Sequence, residues 1–177
     1  MLKKGFTVVE LVITSAIFVI LFAVSVANYR EAEKSESLKV TGHQLTSDIS
    51  WLQTASITGT SSDHGMGFAY GIYTDLNSNN YIMFRDDNNN KSFEQSSDRI
   101  IRRVYLPGDF IISEILLGKD AVSPITTIFL PPRPVVYSNG QPSQQIYIKI
   151  SRATGAGKQI EITIDPVTGR ARQNFVN

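Results

Sequence analysis

The chain opens with a segment that limits what the rest can become. Phe6 to Ala27 is a run of 22 residues with one charged side chain, Glu10. As an α-helix it would be roughly 33 Å long, close to the hydrocarbon thickness of a bilayer, about 30 Å. Lys3 and Lys4 precede it. Basic residues stay on the cytoplasmic side, so the N-terminus is expected in the cytoplasm and the remainder of the chain outside it. A cleavable secretory signal has a shorter apolar region and a small-residue cleavage site, and nothing of that kind follows this run. Hydropathy alone reads as an uncleaved signal anchor. Glu10 does not fit that reading, because a carboxylate in an apolar span costs about 2.5–3.5 kcal/mol on insertion scales and calls for a specific partner.

A length of 177 residues suits one domain with one extra element. With 17 Lys+Arg against 16 Asp+Glu, the composition excludes a dominantly basic nucleic-acid binder and a charge-rich disordered tail. Cysteine is absent, which removes disulfides, thiolate metal sites and a cysteine nucleophile. Two histidines, His43 and His64, are far apart and argue against a His-based zinc site. Neither has an evident acid or nucleophile partner in sequence, and His64-Gly65-Met66-Gly67 lacks the strand–helix setting of a phosphate loop. No enzymatic activity and no cofactor are expected.

From Asn28 the chain turns polar, with Glu31–Lys34 and Glu36–Lys39 at helical i,i+3 spacing. Leu38, Leu45, Ile49 and Leu52 then recur as one face of an amphipathic helix, with Trp51 beside them. Only Gly42 interrupts Phe6 to about Ile57, so the expectation is one helix of roughly 50 residues. It comprises a membrane segment, 6–27, and an amphipathic continuation, 28–58. The stretch Thr58 to Asp63 ends it.

Residues 59–177 read as a β-rich domain. Gly67–Thr74, Tyr81–Arg85, Arg99–Leu106, Phe110–Leu116, Ile125–Leu130, Val135–Ser138, Gln145–Ser151, Gln159–Ile164 and Arg170–Phe175 are the expected strands. Asn139-Gly140 is a hairpin signal, and Gly155-Ala156-Gly157 and Asp165 to Gly169 mark two further turns. Pro131 to Pro134 breaks any strand and predicts an extended loop. One long helix followed by antiparallel strands is an α+β fold.

The string Lys4-Gly5-Phe6-Thr7-Val8-Val9-Glu10-Leu11 closely resembles the class III signal of type IV prepilins and type II secretion pseudopilins. It departs from their pattern only in Val8-Val9, where Leu-Ile is commoner. The resemblance implies a leader, residues 1–5, cut by a prepilin peptidase between Gly5 and Phe6, with methylation of the new amine. It also implies that Glu10 pairs with a neighbouring subunit's N-terminal amine during filament assembly, each buried charge neutralising the other. Over most of its length the layout is similar to GspH/FimT-type minor pseudopilins. That similarity rests on the N-terminal helix, on Phe84 to Asn90 followed by Asp98, and on Thr168 to Arg172. A pilin-like chain would be held in the inner membrane and then drawn into a pilus or pseudopilus, with other pilins or pseudopilins as partners.

Two other groups of residues carry alternatives. Asp86, Asn88 and Asn90 alternate like the first three ligands of a calcium loop. Position six is Lys91 and position twelve Ser97, so this is no EF-hand, and the turn chemistry of Asn and Asp accounts for the same residues. Arg99, Arg102 and Arg103 form one basic cluster, and Lys149, Arg152, Lys158, Arg170 and Arg172 another. FimT-type relatives include DNA-uptake components with C-terminal arginines, so Arg170 and Arg172 are the candidate DNA contacts. They flank Ala171 and would share one face of a regular strand.

Overall fold

A computed structural model describes residues 7–58, 68–131, 135–155 and 157–176. The leader residues Gly5 and Phe6, His64, the start of the first expected strand at Gly67, and most of the Pro131–Pro134 loop lie outside the described residues. Helix α1 runs from Val8 to Thr58. The chain divides into two compact units, Met1–Ser37 and Leu38–Asn177.

In the first unit, Val8–Val26 has a mean hydropathy of 2.5, and none of that span is buried. It is long and apolar enough to cross a membrane. Its few hydroxyls are satisfied within the helix. Thr14 Oγ1 donates to the Glu10 carbonyl, Ser15 Oγ to the Val12 carbonyl and Ser25 Oγ to the Leu21 carbonyl, each at 2.9 Å. Such back-bonding leaves no bare hydroxyl for hydrocarbon to desolvate, so an apolar helix tolerates these residues.

The second unit begins ten residues into the segment that the sequence reads as an amphipathic continuation. After the helix come eleven strands among the described residues. They are β1 (Ala69–Thr74), β2 (Asn80–Asp86), β3 (Arg99–Tyr105), β4 (Phe110–Leu117), β5 (Asp120–Ala121) and β6 (Ile125–Leu130). The rest are β7 (Val135–Ser138), β8 (Gln141–Pro142), β9 (Ile146–Arg152), β10 (Gln159–Ile164) and β11 (Ala171–Val176). One sheet has the order β3-β2-β1-β6-β7-β8 and the other β11-β10-β9-β4-β5, with antiparallel pairing throughout. The fold class is α+β. Strands β5 and β8, two residues each, are too short to leave a periodic signal in sequence. The Asn139-Gly140 turn joins β7 to β8 with positive φ at both residues (48° and 79°), the backbone that this dipeptide favours.

The core is built where the two sheets and the helix meet. Leu38, Leu45, Ile49 and Leu52 are buried, and burying such a side chain is worth about 1.5–3 kcal/mol. They pack with Ile146, Ile148 and Ile150 of β9 and Ile160, Ile162 and Ile164 of β10. Strict alternation along those strands puts isoleucine inward and Lys149 and Glu161, which face each other in register, outward. Gly42 breaks nothing: a Cβ there would lie 2.6 Å from Ile160 Cδ1 and 2.6 Å from Gln173 Oε1. A glycine therefore lets the helix approach β10 and β11 closely.

The six-stranded sheet is buried on both faces near its middle. Tyr81 and Met83 of β2 enter the main core, while Phe84 joins Ala69 and Ile128 in a second cluster on the other side. That second face is covered by Phe93, whose ring lies 4.9 Å from Phe84 and 5.0 Å from Tyr73. The segment between β2 and β3 is therefore a cover over the sheet.

One polar cluster sits inside this packing. Asp48 of α1 is 5% exposed, and its carboxylate accepts from the Tyr81 hydroxyl (2.7 Å), from Gln44 Nε2 (3.0 Å) and from Arg102. Burial, reinforced by the bond to Asp48, pushes the Tyr81 phenol well above the ordinary tyrosine range. Such a group adds stability below the ordinary range and loses that contribution as pH rises through its raised folded value. We expect Tyr81, one of seven tyrosines, to ionise only as the domain unfolds, leaving a delayed step in an alkaline titration of tyrosinate absorbance. Tyr81→Phe should abolish that step and lower stability at neutral pH by about 1.5–3 kcal/mol, the scale of a hydrogen bond to a charged partner.

Candidate functional site

Glu10 lies in the first turn of α1. Thr7 immediately precedes the helix, and its Oγ1 accepts from the Glu10 amide at 3.2 Å. In return the Glu10 carboxylate accepts from the Thr7 amide at 3.5 Å and from the Thr7 hydroxyl at 3.4 Å. This is a capping box, the reciprocal satisfaction of otherwise orphaned amides at a helix start. The Thr7-x-x-Glu10 spacing carries that signal in the sequence, where attention to the lone charge conceals it. The carboxylate contacts are long and exposed, so the cap leaves Glu10 able to take a stronger cationic partner. The side chains around it, Val8, Val9, Leu11 and Val12, are all more than half exposed. Together they form a contiguous exposed apolar surface around the one acid of the span.

The calcium-like segment has a different geometry. Asp86 is buried, and its two oxygens accept from the backbone amides of Asn90 (3.3 Å) and Lys91 (2.9 Å). Asn88 Oδ1 also accepts from the Asn90 amide, at 3.1 Å, and Asn90 Oδ1 from the Ser92 amide, at 2.8 Å. At the far end of the loop, Asp98 accepts from the amides of Asp87 (3.3 Å) and Glu94 (2.7 Å). The oxygens proposed as ligands are thus turned onto the loop's own backbone. Asn89 and Lys91 adopt positive φ, 57° and 62°, as this tight path requires. Burial raises the pKa of both Asp86 and Asp98, against the lowering effect of the amides that bond to them. These acids pin the cover formed by Phe93 over the outer face of the sheet.

The basic residues also separate. Lys149 pairs with Glu114, and that bond raises its pKa. Arg152 pairs with Asp109 at 3.2 Å, and Arg102 is held by Asp48. Arg170 and Arg172 are exposed, but β11 begins at Ala171, so Arg170 lies one residue outside the strand in the preceding turn. Its carbonyl accepts from the Asp165 amide at 3.0 Å. The expected strand Arg170–Phe175 is corrected accordingly to Ala171–Val176, because the turn from Asp165 claims Arg170. Asp165 accepts from the Thr168 amide (2.7 Å) and hydroxyl (2.9 Å), which with smaller help from Arg172 holds its pKa below the usual carboxylate range.

The chain matches no family model, no curated protein and no solved structure. The fold itself defines a coarse class: an α+β chain whose N-terminal helix has an apolar span long enough to cross a membrane.

Because the loop oxygens serve backbone amides, millimolar Ca²⁺ should leave the thermal midpoint unchanged. Asp98→Ala should lower stability by about 1–3 kcal/mol for each amide left unpaired, read by denaturant unfolding.

Proposed function

We propose that this chain is a minor pilin or pseudopilin, a structural subunit of a type IV pilus or type II secretion pseudopilus. The observation that carries the reading is Glu10, an acid inside the apolar span, placed by Lys4-Gly5-Phe6-Thr7 at the fifth position of a chain beginning with Phe6. It is supported by an apolar span that is wholly unburied and by a helix that continues into the core of an α+β domain. In this reading a prepilin peptidase removes residues 1–5 at the inner membrane. The apolar helix stays in the membrane until it joins a filament, and Glu10 exchanges its weak cap for a neighbour's N-terminal amine. The resulting ion pair offsets the cost of holding a carboxylate in an apolar bundle.

A DNA-uptake role for Arg170 and Arg172 has less behind it. Lys149 and Arg152, the strongest reinforcements of that basic region, already have carboxylate partners, and Asp165 lies close to Arg172.

N-terminal mass spectrometry of the protein from its native host should find a mature chain beginning with a methylated Phe6. Retention of Met1 would exclude prepilin processing. Glu10→Val should insert into the membrane as well as the parent or better, since an apolar residue replaces a costly carboxylate. Its incorporation into sheared filaments should fall. Equal incorporation would remove Glu10 from assembly.

A further inference from the structure

Strand β3 is the longest of the four edge strands among the described residues. Two of the four edge strands, β5 and β8, are two residues long, which blunts them against further pairing. At a third, β11, Gln173 Nε2 bonds to the His43 ring of the helix. Strand β3 has seven residues, six of them exposed, and ends the six-stranded sheet. The Leu106 amide donates to the Asn79 carbonyl at 2.7 Å, which sets the phase of the ladder to β2. Antiparallel alternation then turns the backbone groups of Arg102 and Val104 toward β2 and those of Arg103 and Tyr105 away from it. The outer edge thus offers amides and carbonyls that no other strand pairs among the described residues.

Its side chains are equally selective. Arg99-Ile100-Ile101-Arg102-Arg103-Val104-Tyr105 carries three cations and no acid. Asp48 consumes Arg102, whereas Arg99 and Arg103 make no ion pair among the described residues. Between α1 and β3 lie two separate hollows, one lined by Val40 and Tyr105 and the other by Trp51 and Ile101. These four apolar residues are 58%, 64%, 48% and 39% exposed, respectively. A second copy of this chain is a poor occupant, because its β3 would bring three more arginines and no acid to the edge.

We propose that the outer edge of β3 receives an extended acidic segment of a different polypeptide as a seventh strand. Its backbone completes the hydrogen bonds at Arg103 and Tyr105. On the side toward α1 its apolar side chains fill the hollows against Trp51 and Val40, and on the opposite face its carboxylates meet Arg103. Outward carbonyls as well as amides, beside apolar hollows, suit a peptide strand better than a phosphate backbone. The proposal stands independently of filament assembly.

The test uses the full chain in detergent micelles and a fluorescein-labelled peptide, Glu-Val-Glu-Val-Thr-Val-Glu, followed by fluorescence polarisation. Saturable binding that weakens with added salt is expected. Methylating alternate peptide amides should weaken it by about tenfold or more, the effect of losing roughly one good hydrogen bond. Arg103→Pro should do the same, because it removes an outward amide that the ladder to β2 does not use. The variant Arg103→Glu, which leaves the backbone intact, should lose binding while keeping the parent's circular dichroism and thermal midpoint. No saturable binding, equal binding of the N-methylated peptide or of a lysine-for-glutamate control, or displacement of the peptide by duplex DNA would each overturn the proposal.

Discussion

The two sheets of the globular unit have apolar inner faces that need the helix to close on. Between them they present Ile72, Tyr81, Met83, Phe129 and the six isoleucines of β9 and β10, and the helical residues Leu38, Leu45, Ile49 and Leu52 complete that core. Removing this stretch of helix would return a large apolar area to water at about 25 cal/mol per Å². Gly42 permits the close approach on the β10–β11 side, and Asp48 fixes the opposite side through Tyr81 and Arg102. A fully partnered buried carboxylate specifies one seating of the helix, since any shift would leave a charge and a phenol unpaired. The same helix carries the apolar span of the first unit, so one secondary-structure element supplies both that span and part of the core.

Charge is distributed by pairing more than by region. The near-neutral composition is matched locally where cations on the outer faces find acids across the strands, as Lys149 does with Glu114 and Arg152 with Asp109. Such exposed pairs contribute little to stability, but they remove what the sequence presents as a basic field. Strand β3 is where this balance fails, with two exposed arginines beside an open backbone edge. The opposite edge of that sheet is blunted by a two-residue strand, so the two edges differ in both length and charge.

The hydrophobic periodicity was legible because it reports local geometry. Ile125–Leu130, Val135–Ser138 and Gln159–Ile164 have the same bounds in the structure as their sequence pattern predicts. The face Leu38, Leu45, Ile49 and Leu52 is buried as its spacing requires. Less of the chemistry was legible. Asp86, Asn88 and Asn90 have the spacing of cation ligands, yet their oxygens serve amides of the same loop, a choice that depends on backbone φ and on Phe93 finding a sheet to cover. Arg102 looks like one more surface cation until β3 is placed beside the helix and Asp48 is seen beneath it.

The sequence by itself determined a long N-terminal helix, an apolar span broken by one acid, and an α+β division, because each follows from side-chain transfer energies repeated at a fixed helical or strand period. The tertiary structure decided which charges are paired, which strand is an open edge, and that an Asn-rich loop is a cover. Those outcomes depend on contacts between residues distant in sequence, such as Asp48 with Arg102, which no local period encodes.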